Sequence, residues 1–282
     1  LPEISDDIVN IDNAMKWGFG WDFGPFEVWD AFGLIESAER MKSDGRKIPA
    51  WVQTMLNKGF TSFYGFDGKV KTYYDPSSES MQPVPTHPLA VDFNVVKKTG
   101  GLIKKDWSAS LIDLGDGVAA VTMHSVLQPT FNPIDGSVIS MLDQAVDWVI
   151  ENNYKGLVIA SEATHFSAGA NLALMLRAID EKDWDGLDAM SKAMQDTLQK
   201  VRFAPFPVVA APHWMALGGG YETIGACDRI VAAAELYTGL VEVGVGLIPG
   251  AGGNLRMIMK AQDRLSKGRA GAFQVAQKAF EA

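Results

Sequence analysis

The chain reads ALGGGYE at residues 216–222 and GLVEVG at residues 239–244, and IPGAGG follows at residues 248–253. Each of the first two stretches holds one glutamate, Glu222 or Glu242, inside a glycine-rich frame. Glycine lacks a side chain, so backbone N–H groups in such stretches can come close to a ligand. A carboxylate beside those N–H groups can move protons while they hold negative charge. This pattern guides the interpretation of the whole chain, because it indicates an enzyme that acts on an activated carbonyl.

Length and charge restrict the class of protein. With 282 residues, 47% of them apolar, the chain can form one large domain or two small ones with a real core. Its formal net charge of −9 disfavours nucleic acid and anionic membranes as partners. The sequence contains no apolar stretch long enough to cross a bilayer, and it does not start with a secretory signal. We therefore expect a cytoplasmic protein.

Cysteine and histidine usage argues against a disulfide and against a metal site. Cys227 lies in an apolar run, which favours buried packing over a nucleophilic role and fits a reducing compartment. The four histidines lack the spacing of metal ligands. We predict no metal site.

The first third of the chain differs in composition from the rest. Residues 1–75 have a helical and aromatic pattern, and a hairpin is predicted near residues 64–74, with its turn at Asp67-Gly68. Residues 76–106 begin with prolines among serines, which predicts an extended linker. From residue 107 to residue 282 the pattern changes to that of an α/β domain.

Short apolar strands alternate with helical segments in that second domain. Strands are predicted at residues 110–114, 118–123, 156–160, 207–211 and 229–233, and helices at residues 138–152, 172–201 and 219–226. This alternation indicates an α/β fold with a mostly parallel sheet.

Two loops of this domain follow buried strands and open helices. The first is HFSAGAN at residues 165–171, and the second contains Gly218 and its two following glycines. Unpaired N–H groups at a helix start favour an oxyanion. Taken alone, the first loop is more typical of an ordinary turn in which Asn171 caps a helix, and the second is equally typical of a tight turn. The absence of a Gly-Lys-Ser/Thr run and of GxGxxG disfavours a phosphate loop. Ligands in α/β sheets bind at the edge where both loops lie.

The two glutamates also have simpler interpretations. Glu222 falls in the first turn of a predicted helix, where a carboxylate favours the helix dipole by about 0.3–1 kcal/mol. Glu242 could be a solvated loop residue. Their recurrence in two glycine-rich frames favours a shared chemical role.

Residues 107–282 resemble the crotonase family, the enoyl-CoA hydratases and isomerases. The resemblance rests on FSAGANL at residues 166–172, ALGGGYE at 216–222, ACDRIVA at 226–232 and VEVGVGLIPGAGG at 241–253. It implies a crotonase-like β-β-α superhelix. Residues 1–34 look like the end of the C-terminal domain of a 3-hydroxyacyl-CoA dehydrogenase. The whole is similar to a fragment, cut at both ends, of a bifunctional fatty-acid β-oxidation protein.

The resemblance also implies roles for individual residues. The backbone N–H groups of Ala170 and Gly219 would form the oxyanion hole, and Glu222 and Glu242 would be the two catalytic acid/base residues, Glu222 as the base and Glu242 as the acid. The acyl-CoA thioester would be bound by seven further residues: Phe166, Ala168, Gly169, Asn171, Gly218, Asn132 and Ile134. Asn171 stands where the family usually has Asp, and both residues cap helices well.

Partners and cofactors follow from the same resemblance. The expected partners are the acyl-CoA thioester, a dehydrogenase domain of the same protein, and further copies of the chain in a trimer-type assembly. No cofactor is expected here, because NAD would belong to the dehydrogenase domain. An enoyl-CoA Δ3-Δ2 isomerase and a non-catalytic acyl-CoA-binding module remain the alternatives. The pair of glutamates favours hydration, because an isomerase needs only one.

Overall fold

Two separate cores of buried apolar side chains organise the chain. The computed structural model describes residue 1 and residues 3–68, 70–87 and 90–266, with the side chains of residues 264–266 excepted. Residues Leu1–Val95 form one compact unit, and the chain from Val96 onward forms the other. No helix in these described ranges is long and apolar enough to cross a membrane.

The first unit combines four helices with a three-stranded antiparallel sheet. Its elements are α1 (Ile8–Phe19), α2 (Pro25–Phe32), α3 (Leu34–Ser43), α4 (Ala50–Asn57), β1 (Tyr64–Asp67), β2 (Val70–Asp75) and β3 (Ser80–Pro83). The predicted hairpin is confirmed, because β1 pairs antiparallel with β2 and the turn passes through Gly68 at a φ of 56°. Strand β3 pairs with β2, which differs from the extended linker predicted for residues 76–106.

Local signals explain how the first unit folds. Helix α1 begins after Asp7, whose side chain accepts a hydrogen bond from the Asn10 amide, and ends at Gly20 in a left-handed conformation. The core contains Phe63 and Tyr74, both fully buried, and Phe63 packs edge-on against Phe26 with ring centroids 5.1 Å apart.

The second unit is an α/β domain. Helix α5 (Phe93–Val96) spans the division between the units, and a π-helical turn follows at Lys97–Gly101. The remaining elements are β4 (Leu102–Lys105), β5 (Ala109–Gly115), β6 (Val118–Met123), α6 (Gly136–Glu151), β7 (Gly156–Ser161), α7 (Leu172–Asp180), α8 (Trp184–Arg202), β8 (Val208–Ala210), β9 (Met215–Leu217), α9 (Gly219–Ala226), β10 (Arg229–Ile230), β11 (Tyr237–Gly239) and α10 (Gly253–Ser266).

The second unit contains a six-stranded sheet in the order β10-β8-β7-β6-β5-β4, and many side chains of the second core lie on its strands. Strands β6, β7, β8 and β10 pair in parallel in this sheet. Strands β5 and β4 continue it at one edge with antiparallel pairs. Strands β9 and β11 form a separate parallel pair. The mostly parallel sheet is confirmed, and β4 lies in the range that the sequence assigns to the linker. Helix α6 buries Val138, Leu142 and Val149 at helical spacing in this core.

The long helix predicted for residues 172–201 is two helices. Lys182 adopts a φ of 58°, which no α-helix tolerates, and it separates α7 from α8. The Asp183 side chain then caps α8 by accepting a hydrogen bond of 2.9 Å from the Gly186 amide. The break matters because both helices line the cavity described below.

Candidate active site

Two loops lie side by side where buried strands of the second unit end. Ser167 bridges in parallel with Ala216, and its carbonyl accepts a hydrogen bond of 2.9 Å from the Leu217 amide. On the other side, Ile134 bridges with Ala170. The loop after β7 is therefore held between the segment before α6 and the strand before α9.

The backbone N–H groups of Ala170 and Gly219 lie close together at this point. A Cβ on Gly219 would lie 3.5 Å from the Ala170 nitrogen, and a Cβ on Gly169 would lie 3.1 Å from the Gly219 nitrogen. Within the described residues, neither of these amides donates a hydrogen bond. Gly169 has a φ of 98°, which glycine adopts without strain. Two unpaired donors beside the start of α9 form a site for negative charge.

Glu222 is buried and held by two other amides. It is 3% exposed, and its Oε1 atom accepts hydrogen bonds of 2.8 Å from the backbone N–H groups of both Ala251 and Gly253. Burial raises the pKa of Glu222 above its ordinary value of 4.5, and the charge of Glu242 raises it further. The hydrogen bonds from the two amides and the positive charge of Arg256 lower the pKa of Glu222 and so oppose these two effects.

Glu242, the second glutamate of the cavity, lies in the 3-10 turn Glu242–Val245. A Cβ on Gly218 would lie 3.1 Å from its Oε1 atom, so this carboxyl faces the glycine loop that carries the Gly219 amide. Its Oε2 atom is buried and has no hydrogen-bond partner among the described residues. Burying a carboxyl oxygen without a hydrogen-bond partner costs free energy. A ligand in the cavity could supply the missing partner to this Oε2 atom.

A cavity of about 650 Å³ joins these groups. Ala170, Gly219, Glu222 and Glu242 all line it. Much of the remaining wall is apolar and comes from α7, α8 and the loop before α10: Leu172, Met175, Leu187, Met190, Met194, Leu247 and Ile248. The cavity thus offers a polar reacting centre beside an apolar space.

The other residues predicted to contact substrate divide into two groups. Ala168, Gly169, Gly218 and Ile134 line the cavity. The structure does not bring Asn132, Phe166 or Asn171 into its lining, and each of these three has a different surrounding.

Asn132 and Phe166 hold the loop at residues 165–171 in place through contacts with the protein interior. Asn132 is 1% exposed, and its side chain accepts from the Ser125 amide and donates to the Ser161 hydroxyl and the Phe166 carbonyl at 2.8–2.9 Å. The Phe166 side chain is fully buried in the core. Asn171 caps α7 by accepting from the Leu174 amide. These three side chains hold the loop and do not line the cavity. Their contact with substrate stays a prediction.

Sequence reasoning missed several residues at this site. The glycine-rich run at residues 248–253 stood out, but its amides turn back onto Glu222 across 29 and 31 positions, which no local pattern indicates. The methionines on α7 and α8 resemble ordinary core residues in sequence. Arg256 carried no signal beyond its place on a helix.

Cys227 packs in the core, as the sequence predicts. It is 4% exposed, and burial raises the pKa of its thiol to about 12. In the part of the chain that the structure describes, no group of three or more His, Cys, Asp or Glu side chains could hold a metal ion.

Paired amides and two carboxyls thus line one cavity of an α/β domain. The family model for enoyl-CoA hydratase/isomerase matches residues 113–269, and the chain belongs to this family. A solved structure of enoyl-CoA hydratase from Thermoplasma volcanium GSS1 has a TM-score of 0.51 at 21% identity, covering 62% of this chain and 64% of that chain. The crotonase-like fold is confirmed.

Curated relatives extend the similarity over both units. A Bacillus subtilis (strain 168) protein with the name "Probable 3-hydroxyacyl-CoA dehydrogenase" is 44% identical over 254 residues, which are 90% of this chain and 31% of the relative. A Rickettsia felis protein, named provisionally a fatty acid oxidation complex trifunctional enzyme, is 29% identical over 275 residues, or 95% of this chain and 33% of the relative. The chain spans about a third of the length of these relatives.

Proposed function

We propose that the second unit is an enoyl-CoA hydratase, which adds water to 2-enoyl-CoA thioesters in fatty-acid β-oxidation. The single observation that carries this proposal is the presence of two carboxyls and two unpaired amides around one cavity. Family membership supports the thioester as the substrate.

The paired amides would stabilise the charge that develops on the thioester oxygen. When water adds to the β carbon of a conjugated thioester, electrons move onto that oxygen. The N–H groups of Ala170 and Gly219 would donate to it, and losing one such donor typically costs about 10²–10³ in rate. Because these donors are backbone groups held by neighbouring strands, they need no rearrangement during the reaction.

Glu222 would serve as the base and Glu242 as the acid. Oε1 of Glu222 is occupied by the Ala251 and Gly253 amides, and Oε2 accepts no hydrogen bond among the described residues. Oε2 would take a proton from water, while Glu242 would give one to the α carbon. Burial raises the pKa of Glu222, which makes it a stronger base. The negative charge of Glu242 adds to this raised pKa.

Two substrates separate hydration from isomerisation. We expect the purified protein to hydrate crotonyl-CoA, and Glu222→Gln to lower that rate by about 10²–10⁴ with little change in CoA-ester binding. Glu235→Gln is the matched control, because this side chain is exposed and outside the cavity. Conversion of a 3-enoyl-CoA without hydration of crotonyl-CoA would support the isomerase instead. Unchanged hydration by the Glu222→Gln protein would rule out its role as the base.

The complete protein would also carry a dehydrogenase domain. This part of the proposal rests on the names and greater lengths of the relatives. NAD would then serve that domain and not the cavity described here. The trimer-type assembly and the cytoplasmic location stay predictions, and sedimentation of the purified protein tests the first of them.

A further inference from the structure

Arg256 is a buried arginine that faces carbonyl oxygens instead of a carboxylate. It lies on α10, is 9% exposed, and its Nη1 atom donates to the carbonyl oxygens of Ala251 at 2.8 Å and Glu222 at 3.4 Å. It makes no salt bridge with any carboxylate in the described ranges. Burying a charge without an ionic partner is costly, so its position calls for an explanation.

The two carbonyls belong to residues that already hold each other. The Ala251 amide donates to Oε1 of Glu222, and the Ala251 carbonyl accepts from Arg256, whose guanidinium also reaches the Glu222 carbonyl. The contacts therefore close a ring through three residues. Removing the guanidinium would remove the two hydrogen bonds that Arg256 makes to Ala251 and Glu222.

Backbone geometry keeps Arg256 close to the loop. Its amide donates to the Gly252 carbonyl at 3.0 Å. Gly252 has a φ of 96°, and a Cβ there would lie 3.1 Å from the Arg256 Nη1 atom. The loop can pass this close to the guanidinium only because glycine has no side chain.

The charges around this ring act on Glu222 from two sides. Glu242, which lines the cavity, contributes a negative charge, and Arg256, which does not line it, contributes a positive charge. Arg202 on α8 and the Cys227 thiol are the other titratable groups that act on Arg256. The positive charge of Arg256 lowers the pKa of Glu222 and so opposes the effect of burial.

We propose that Arg256 is a positioning residue for the hydration reaction: it fixes the loop whose amides orient the Glu222 carboxyl, and it brings a positive charge close to Glu222. This inference rests on the proposed function. It assigns Arg256 no contact with substrate, since Arg256 does not line the cavity.

Kinetic measurements on two variants test the proposal. In Arg256→Met, kcat should fall by about 10²-fold, the loss typical of a catalytic group displaced by about 1 Å. The KM for crotonyl-CoA should change less than kcat, and the acid limb of the pH profile should move to higher pH. Arg256→Lys keeps the charge but loses the planar fork, so kcat should fall while the acid limb stays in place.

Arg202→Met is the matched control. It removes a neighbouring positive charge from an exposed side chain that makes no hydrogen bond with the loop in the described structure. We expect wild-type kcat and an unshifted acid limb from it. A wild-type kcat in the Arg256→Lys protein would overturn the positioning role, and this result stays decisive if Arg256→Met fails to fold.

A readout without turnover separates this inference from the proposed function. Carbon-13 NMR of labelled glutamate carboxyls, with the Glu222 signal assigned by its loss in Glu222→Gln, follows the titration directly. The Glu222 titration should move to higher pH in Arg256→Met and not in Arg202→Met. An unmoved titration overturns the inference. If Arg256→Met shows this shift while the wild-type protein does not hydrate crotonyl-CoA, the inference on Arg256 stands and the proposed function fails.

Discussion

The Gly253 amide donates a hydrogen bond of 2.8 Å to Oε1 of Glu222, and a Cβ at position 253 would lie 3.0 Å from Cγ of the same glutamate. Gly253 therefore both holds this carboxyl and leaves it the space that it occupies. Every other residue type would lose the space, and proline would lose the N–H donor as well.

Replacing Gly253 with alanine should displace Glu222. The added methyl group would lie 2.7 Å from Cδ2 of Leu240 as well as 3.0 Å from the glutamate, so a side chain must move. We expect kcat for hydration to fall by about 10²-fold, because the base leaves its productive position. Gly244→Ala is the control, since a Cβ there meets nothing within 4 Å. Equal kcat values for the two variants would contradict the argument.

Gly169→Ala should damage both the fold and the oxyanion site. The residue has a φ of 98°, and a Cβ there would lie 2.8 Å from the Leu217 carbonyl oxygen and 3.1 Å from the Gly219 nitrogen. We expect the free energy of unfolding to fall by about 1–3 kcal/mol, measured in urea. The rate of hydration should fall further than this loss of folded protein explains. Gly136→Ala, at an open position without a positive φ, should change neither quantity.

Glu242→Gln should shift the titration of Glu222 as well as the rate. The negative charge of Glu242 raises the pKa of Glu222, so a neutral glutamine should lower that pKa. Hydration should fall by about 10²–10⁴, the contribution typical of a general acid. Carboxyl NMR checks the first effect and a crotonyl-CoA assay the second. The exposed Glu151→Gln should leave both unchanged, and a Glu222 titration that ignores Glu242→Gln would show that the carboxyls do not interact.

The buried Glu222 should make stability depend on pH. Its pKa in the folded state is raised above 4.5, so between 4.5 and that raised value the folded protein binds more protons than the unfolded chain. Stability contributed by this group therefore falls as the pH rises through that window. Glu222→Gln removes the titration and keeps an oxygen acceptor for both amides. The free energy of unfolding of this variant minus that of the wild type should thus increase from pH 4.5 to neutral pH.

Urea unfolding at a series of pH values measures this difference. The exposed Glu235→Gln should show a difference that stays flat across the same range. A flat difference for Glu222→Gln would mean that its carboxyl titrates as it does in the unfolded chain.

Much of the fold could be predicted because its signals are local. The strand at Val118–Met123 and the helix Gly219–Ala226 agree with their predicted ranges, since apolar periodicity and glycine placement act over a few residues. The range predicted as a linker contains two strands, β3 and β4, which pair with their neighbours β2 and β5. The proline and serine content of that range gave no sign of this pairing. The break at Lys182 was equally hidden, since nothing in its neighbours forbids a continuous helix.

The sequence by itself determined the groups that we propose to react: two glutamates and the glycines that let amides face a ligand. Only the tertiary structure decided how those groups are held. The Ala251 amide reaches Glu222 across 29 positions, and Arg256 reaches the same residue across 34. It also placed the Asn132 amide against the Phe166 carbonyl, 34 positions along the chain. Contacts between residues so far apart depend on the path of the whole chain, which short-range patterns do not specify.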